Sequence, residues 1–204
     1  MDALMSTAYL PPISFFRLAK KHKNILLEAH ETYTKQTYRN RCKIMTGNGV
    51  LPLTIPVTKP QGNRTLTKDI RIDNSTKWAK EHMRAIESAY RTSPFFEFLT
   101  DYFTQFYEKE WEFLWDYNLN IIETVTDILD LDITVAETRN YQKHTSGMAD
   151  YRNTINPKKT VETYERIELG HKYHQVFAHR FGFVPDLSIF DLLCNCGMES
   201  ILYL

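Results

Sequence analysis

The spacing of apolar residues changes period several times along the chain, and each change marks an element. Residues 3–9 (ALMSTAY) read as a first strand, stopped by Pro11-Pro12. Ile13, Phe16 and Leu18 then give a helix over 13–21 one buried side, with a proline suited to its start. Residues 24–29 (NILLEA) read as a second strand. Strand, short helix, strand predicts a parallel βαβ unit, because parallel strands need such a crossover. Residues 38–45 and 50–57 flank Thr46-Gly47-Asn48-Gly49, and Asn-Gly between two strand-like runs predicts a hairpin. In its second arm Leu51, Leu53, Ile55 and Val57 alternate with Pro52, Thr54 and Pro56. Two prolines cannot donate to a ladder, so this arm is expected at an edge. Ile70 and Ile72 suggest one more short strand.

The middle, about 76–130, switches to helical spacing. Trp78, His82, Ala85, Ile86 and Ala89 form one stripe. Ser93 and Pro94 signal a helix start, followed by Phe95, Leu99, Phe103 and Phe106. A third helix, about 111–130, carries Leu114, Trp115, Leu119, Ile122, Val125 and Leu129. Residues 133–136 suit a strand. The polar stretch 138–160, with Gly147 and Pro157, reads as a long loop of the kind that is functional or disordered. The tail has an apolar stretch at 173–184 and a helix at 188–196. There Ser188-x-x-Asp191 resembles a capping box and Gly197 suits the C′ position. The expectation is an α/β (mixed α+β) fold over 1–204 as one domain. A small mixed sheet, begun by the βαβ unit and joined by a hairpin, packs on the helical middle.

Composition narrows the class. The 204 residues are 43% hydrophobic and 25% charged, and 7 glycines with 8 prolines exclude collagen-like and low-complexity chains. Lys+Arg number 25 against 25 Asp+Glu, a net charge of zero. Nucleic-acid binders draw affinity from a basic surface, so no nucleic-acid partner is expected, nor attachment to anionic lipid. No apolar run reaches the roughly 20 residues that span a bilayer, and the first residues lack the basic region of a signal peptide. Cys42, Cys194 and Cys196 fit neither a disulfide framework nor a zinc motif. A cytoplasmic location is expected.

The densest polar cluster is 28–43, with Glu28, His30, Glu31, Tyr33, Lys35, Gln36, Tyr38, Arg39, Asn40, Arg41 and Lys43. On a strand over 38–45, Arg39, Arg41 and Lys43 would share a face. They would there clamp a carboxylate or phosphate, or simply face solvent. His30 follows a strand expected to be parallel, and ligands of open α/β sheets bind beyond the carboxyl ends of strands. It is therefore a candidate general base, or a loop histidine with no task. His82, one turn from Trp78, is a second candidate, or a packed side chain. His171 and His174 are three apart but lack a completing ligand, so no metal site is assigned.

The order of short blocks adds a resemblance. Thr7-Ala8-Tyr9-Leu10-Pro11-Pro12, His30 and Tyr33 with Lys35, and Tyr38-Arg39-Asn40-Arg41 with Ile44 come first. Asn48-Gly49, Leu53-Thr54-Ile55-Pro56-Val57, Ile72 with Trp78 and His82, Tyr90 with Ser93-Pro94-Phe95-Phe96, and Leu187 to Leu193 follow. In this order, from near residue 6 to near 197, they resemble the WbqC-like family. Many of its members begin the first block with Gln-Pro, where this chain has Ser6-Thr7. The resemblance implies work on activated sugars in bacterial surface-polysaccharide (O-antigen-type) biosynthesis. The resulting expectation is a sugar-modifying transferase acting on a nucleotide-linked or amino sugar, with no cofactor specified. His30 and His82 are its catalytic candidates, sharing one cleft. Arg39, Arg41 and Lys35 would hold an anionic group, with Tyr9, Tyr33, Tyr38 and Asn40 beside them. The alternatives are a non-catalytic binding or assembly module of the same pathway and a metal-dependent hydrolase using His171 and His174.

Overall fold

The computed structural model describes residues 1–158 and 171–204. Strand β1 (Asp2–Met5), helix α1 (Ile13–His22) and strand β2 (Asn24–Leu27) form the expected parallel unit, with Ala3 opposite Ile25 and Met5 opposite Leu27. Both strands are shorter than the apolar runs suggest. Beyond Met5 the chain peels away: the Tyr9 amide bonds to the Tyr38 carbonyl, and Leu10 takes a positive φ of 37° before the two prolines. Helix α1 buries Ile13, Phe15, Phe16, Leu18 and Ala19. Its N-terminal turn is held from across the chain, where the Asp186 carboxylate accepts from the Ser14 amide at 2.8 Å and from its hydroxyl at 3.1 Å. A negative charge there also suits the helix dipole.

Two later strands complete the sheet. Strand β7 (Thr134–Glu137) lies parallel to β2, and β8 (Met148–Asp150) lies parallel to β1. The order is β7-β2-β1-β8, with every pair parallel. Strand β8 falls in the stretch expected to be a loop. Three residues, Met-Ala-Asp, are too few for a period to show.

The hairpin forms a separate two-stranded sheet from β3 (Arg41–Thr46) and β4 (Gly49–Thr54), with Lys43 opposite Pro52. Gly47 and Asn48 are its two turn residues, and Gly49, at φ 106°, opens the second strand. Residues 38–40 are not strand. Tyr38–Asn40 is one 3-10 turn, entered through Gln36 at φ 59°. Arg39 therefore does not share a strand face with Arg41 and Lys43, and the expected three-cation face does not form. A further pair, β5 (Val57–Thr58) and β6 (Arg71–Ile72), is antiparallel.

Helix α2 (Trp78–Tyr90) buries Trp78, His82, Ile86, Ala89 and Tyr90. Helix α3 (Phe96–Phe103) begins after Pro94, but Ser93 donates to the Tyr90 carbonyl at 2.5 Å rather than capping it. Phe95 precedes the helix and is exposed. The buried stripe is Leu99 and Phe103 with Phe106 of α4 (Gln105–Glu108). Helix α5 (Leu114–Ile128) supplies Leu114, Trp115, Ile121, Ile122 and Val125 to the same core. The closing helix Ile189–Cys196 is capped by Ser188, whose Oγ accepts from the Phe190 amide. Asp191 does not complete a capping box. Its carboxylate turns inward and accepts from the Tyr90 hydroxyl at 2.8 Å and the Tyr173 hydroxyl at 2.6 Å. The 173–184 stretch yields only a short helix, Ala178–Phe181.

Candidate functional site at the carboxyl ends of the parallel strands

The strand order places a site before any side chain is considered. From β1 the chain moves to β2 and then β7 on one side, and returns to the other side of β1 with β8. The strand that follows β1 in the chain lies on one side of it and β8 on the other, and such a reversal of strand order opens a crevice beyond the carboxyl ends of β1 and β8, where open α/β sheets bind ligands. The residues following the four strands gather there. Ser6 and Thr7 follow β1, Glu28 to Thr34 follow β2, Thr138 and Tyr141 follow β7, and Tyr151 to Asn153 follow β8.

Glu28 ties these loops together. It is fully buried and accepts four hydrogen bonds. The His30 amide (3.0 Å) and Thr138 hydroxyl (2.7 Å) reach Oε1, while the Gln142 amide (2.8 Å) and Arg152 Nη1 (3.1 Å) reach Oε2. One carboxylate thus fixes the loops after β2, β7 and β8. Arg152 also forks onto Asp150, with Nη2 to Oδ2 at 2.6 Å and Nε to Oδ1 at 3.0 Å. Those bonds hold the Asp150 carboxyl below its ordinary range. Arg39, buried, pairs with Glu31 through Nε at 2.9 Å and Nη2 at 2.6 Å, and its Nη2 also donates to Ser6 Oγ at 2.8 Å. The second guanidinium thereby joins the β1 loop to the β2 loop.

Two cavities meet at these arginines. A cleft of about 550 Å³ is lined by His30, Glu31, Thr32, Thr34, Arg39, Tyr141, Arg152 and Asn153. Beneath it a crevice of about 10 Å³ reaches down between Ser6, Thr7, Tyr38, Arg39 and Arg152, roughly one water in size. Thr7 is 1% exposed, and its hydroxyl has no hydrogen-bond partner among the described residues.

Of the residues expected to act, His30 and Arg39 line the cleft, and Tyr38 lines the crevice with Arg39. His82 lies elsewhere. It is 6% exposed in an aromatic cluster, its Nδ1 3.0 Å from the Tyr9 hydroxyl, which in turn meets the Tyr107 hydroxyl at 2.9 Å. Trp78 stands edge-on to its ring. Burial pushes its pKa down to about 4, so the ring is neutral core rather than a base beside His30. The same packing removes Tyr9 from any ligand. Arg41 donates to Thr54 Oγ1 along the hairpin, Lys35 is exposed without reaching the cleft lining, and Asn40 donates to the Ile55 carbonyl at 2.8 Å. Tyr33 is buried beside the cleft, its hydroxyl pushed up to about 12 by burial against the opposing charges of Arg39 and Arg41. His171 and His174 are both exposed, and among the described residues no group of three or more His, Cys, Asp or Glu gathers to hold a metal.

The sequence reading missed Ser6, Tyr141, Arg152 and Asn153, all of which lie in loops. Their signal was positional: each follows a strand that runs parallel to β1 or is β1 itself. Only β8, three residues long, was too short to point to its loop.

The family's sequence profile matches residues 7–203, nearly the whole chain and all four loops of the site. The chain belongs to the WbqC-like protein family. It is also similar to an uncharacterised protein of Mycobacterium tuberculosis, Rv1507c. The two are 26% identical over 227 aligned positions, covering 99% of this chain and 96% of that protein. No solved structure matches this WbqC-like chain. Among the described residues no helix is long and apolar enough to cross a membrane.

Proposed function

We propose that this WbqC-like protein binds and modifies an activated sugar, as a cytoplasmic transferase of bacterial surface-polysaccharide biosynthesis. The observation that carries the reading is the cleft at the strand-order reversal, where His30, Glu31, Arg39 and Arg152 line a space large enough for a sugar nucleotide's reacting end. His30 is the candidate general base. It is partly exposed, its amide is fixed by Glu28, and it lines the cleft. The two guanidiniums orient the ligand with the N–H groups their carboxylates leave free. The family resemblance supports the sugar, and the geometry supports the place.

A thermal-shift screen with nucleotide sugars and acyl-CoA donors tests this. At a hundredfold excess over Kd a ligand adds about 2.7 kcal/mol, a rise of roughly 5–10 °C for a domain of this size. His30→Asn should keep that shift while abolishing turnover. A screen in which no sugar nucleotide stabilises the protein would overturn the reading. A non-catalytic assembly role has one observation in its favour. The outer face of α3 exposes Phe98 and Tyr102 in ring contact at 5.2 Å.

A further inference from the structure

The charges of the site do not form an anion trap. Arg39 and Arg152 carry two positive charges, and Glu28, Glu31 and Asp150, all bonded to them at 2.6–3.1 Å, carry three negative ones. Each guanidinium is neutralised before any ligand arrives. The rest of the lining includes Thr32, Thr34 and Asn153, which exchange hydrogen bonds without net charge, and His30. Such a surface suits hydroxyl groups better than a diphosphate. Tyr141 adds an apolar plane. Its ring lies 5.3 Å from the Arg152 guanidinium, which occupies one face, and the residue is still 54% exposed. A large aromatic side chain held from behind by a fixed cation, with its other face open at the mouth of a polar cleft, is a stacking platform.

We propose that Tyr141 sets the specificity of this cleft. Its open face takes the apolar face of a sugar ring, whose hydroxyls meet Glu31, Asn153 and the threonines, and the charged part of the ligand stays outside. This rests on the reading of the cleft as the substrate site. Arg152 is a positioning residue here, holding the ring while four of its five N–H groups are taken by Glu28, Asp150 and the Gln142 carbonyl.

Saturation-transfer NMR with UDP-glucose, UDP-N-acetylglucosamine and UDP, paired with calorimetry at low and high salt, tests the proposal. The sugar protons should receive the strongest saturation, and UDP alone should bind at least tenfold more weakly. Affinity should change less than twofold with salt. Tyr141→Ala should lose at least tenfold in affinity with an unchanged circular dichroism spectrum, and Tyr141→Phe should bind within twofold of wild type. Wild-type affinity in Tyr141→Ala, or saturation centred on the nucleotide with a steep salt dependence, would overturn the platform and leave the cleft reading intact. If none of the three probes binds the wild type, the cleft reading falls for these sugars and the platform falls with it.

Discussion

Replacing Glu28 with Gln tests whether one carboxylate assembles the site. The amide keeps the size and shape of the side chain. All four partners of Glu28 are donors, two on each oxygen. Turned toward the Gln142 amide and Arg152, its NH₂ faces two donors that have lost their acceptor; turned the other way it faces the His30 amide, and only the Thr138 hydroxyl can rotate to accept from it. The Arg152 charge, on a side chain only 10% exposed, also loses its fully buried partner and keeps only Asp150. Breaking a buried pair by removing one charge costs about 3–5 kcal/mol. That is a large part of the roughly 5–15 kcal/mol that holds a typical domain together. For a domain of this length the melting temperature should fall by roughly 6–20 °C. Urea unfolding followed by circular dichroism measures the loss directly. The control is Asp150→Asn, which weakens the more exposed half of the same network and should cost under about 1 kcal/mol. Hydrogen exchange should show the amides of His30 and Gln142 losing protection in Glu28→Gln while β3 and β4 keep theirs. If Glu28→Gln is within about 1 kcal/mol of wild type, the carboxylate does not organise the loops and the argument for a built site is wrong.

Three further outcomes follow from the core. His82 has a folded pKa of about 4 against an ordinary value near 6.5, so it stabilises the fold above pH 6.5 and that contribution is lost as pH falls toward 4. The loss is about 3 kcal/mol at 1.36 kcal/mol per unit. Burial raises the Asp191 carboxyl and acts in the opposite sense. The test is therefore the difference between wild type and His82→Gln in urea stability at pH 7.5 and 4.5, and equal pH slopes would refute it. Gly197 sits at φ 56°, and a Cβ there would come within 2.6 Å of the Phe95 ring. Gly197→Ala should cost about 2 kcal/mol, partly recovered in the double variant with Phe95→Ala. The three cysteines are free and buried, and burial pushes all three thiols up, Cys196 to about 11. Thiol titration should count three in denaturant and none reacting quickly in the native protein.

The fold was legible where periods were long. The βαβ unit, α2, α5 and the closing helix were all visible, because each buries one stripe or one short apolar run. The strand β8 was not, since three edge residues carry no period and its polar surroundings resemble a loop. That omission mattered most for the site. Without β8 there is no reversal of strand order and no reason to look at Arg152 or Asn153. His30 and Arg39 were legible because position beyond a parallel strand is itself a signal. His82 misled because helical spacing beside Trp78 fits a ligand and a packed ring equally well, and only its burial with Tyr9 decides between them.

The misplaced cation cluster explains the chemistry of the site better than a simple failure would. Arg39, Arg41 and Lys43 were expected to act together because a strand repeats every two residues. The 3-10 turn at Tyr38–Asn40 breaks that repeat at Arg39 alone. It sends this guanidinium inward to Glu31 and Ser6, while Arg41 stays with Thr54 on the hairpin. A cation buried without a carboxylate would be strongly unfavourable, so a buried arginine in this cleft requires Glu31, just as Arg152 requires Glu28 and Asp150. Burial and neutrality are therefore one constraint. An arginine fixed well enough to orient a ligand is no longer free to attract it by charge. Recognition in this cleft then rests on hydrogen-bond geometry and on the open ring of Tyr141. Ser6 and Thr7 bring two hydroxyls to that same crevice. The Ser6 hydroxyl accepts from Arg39, so that the same guanidinium that Glu31 neutralises also fixes the loop after β1.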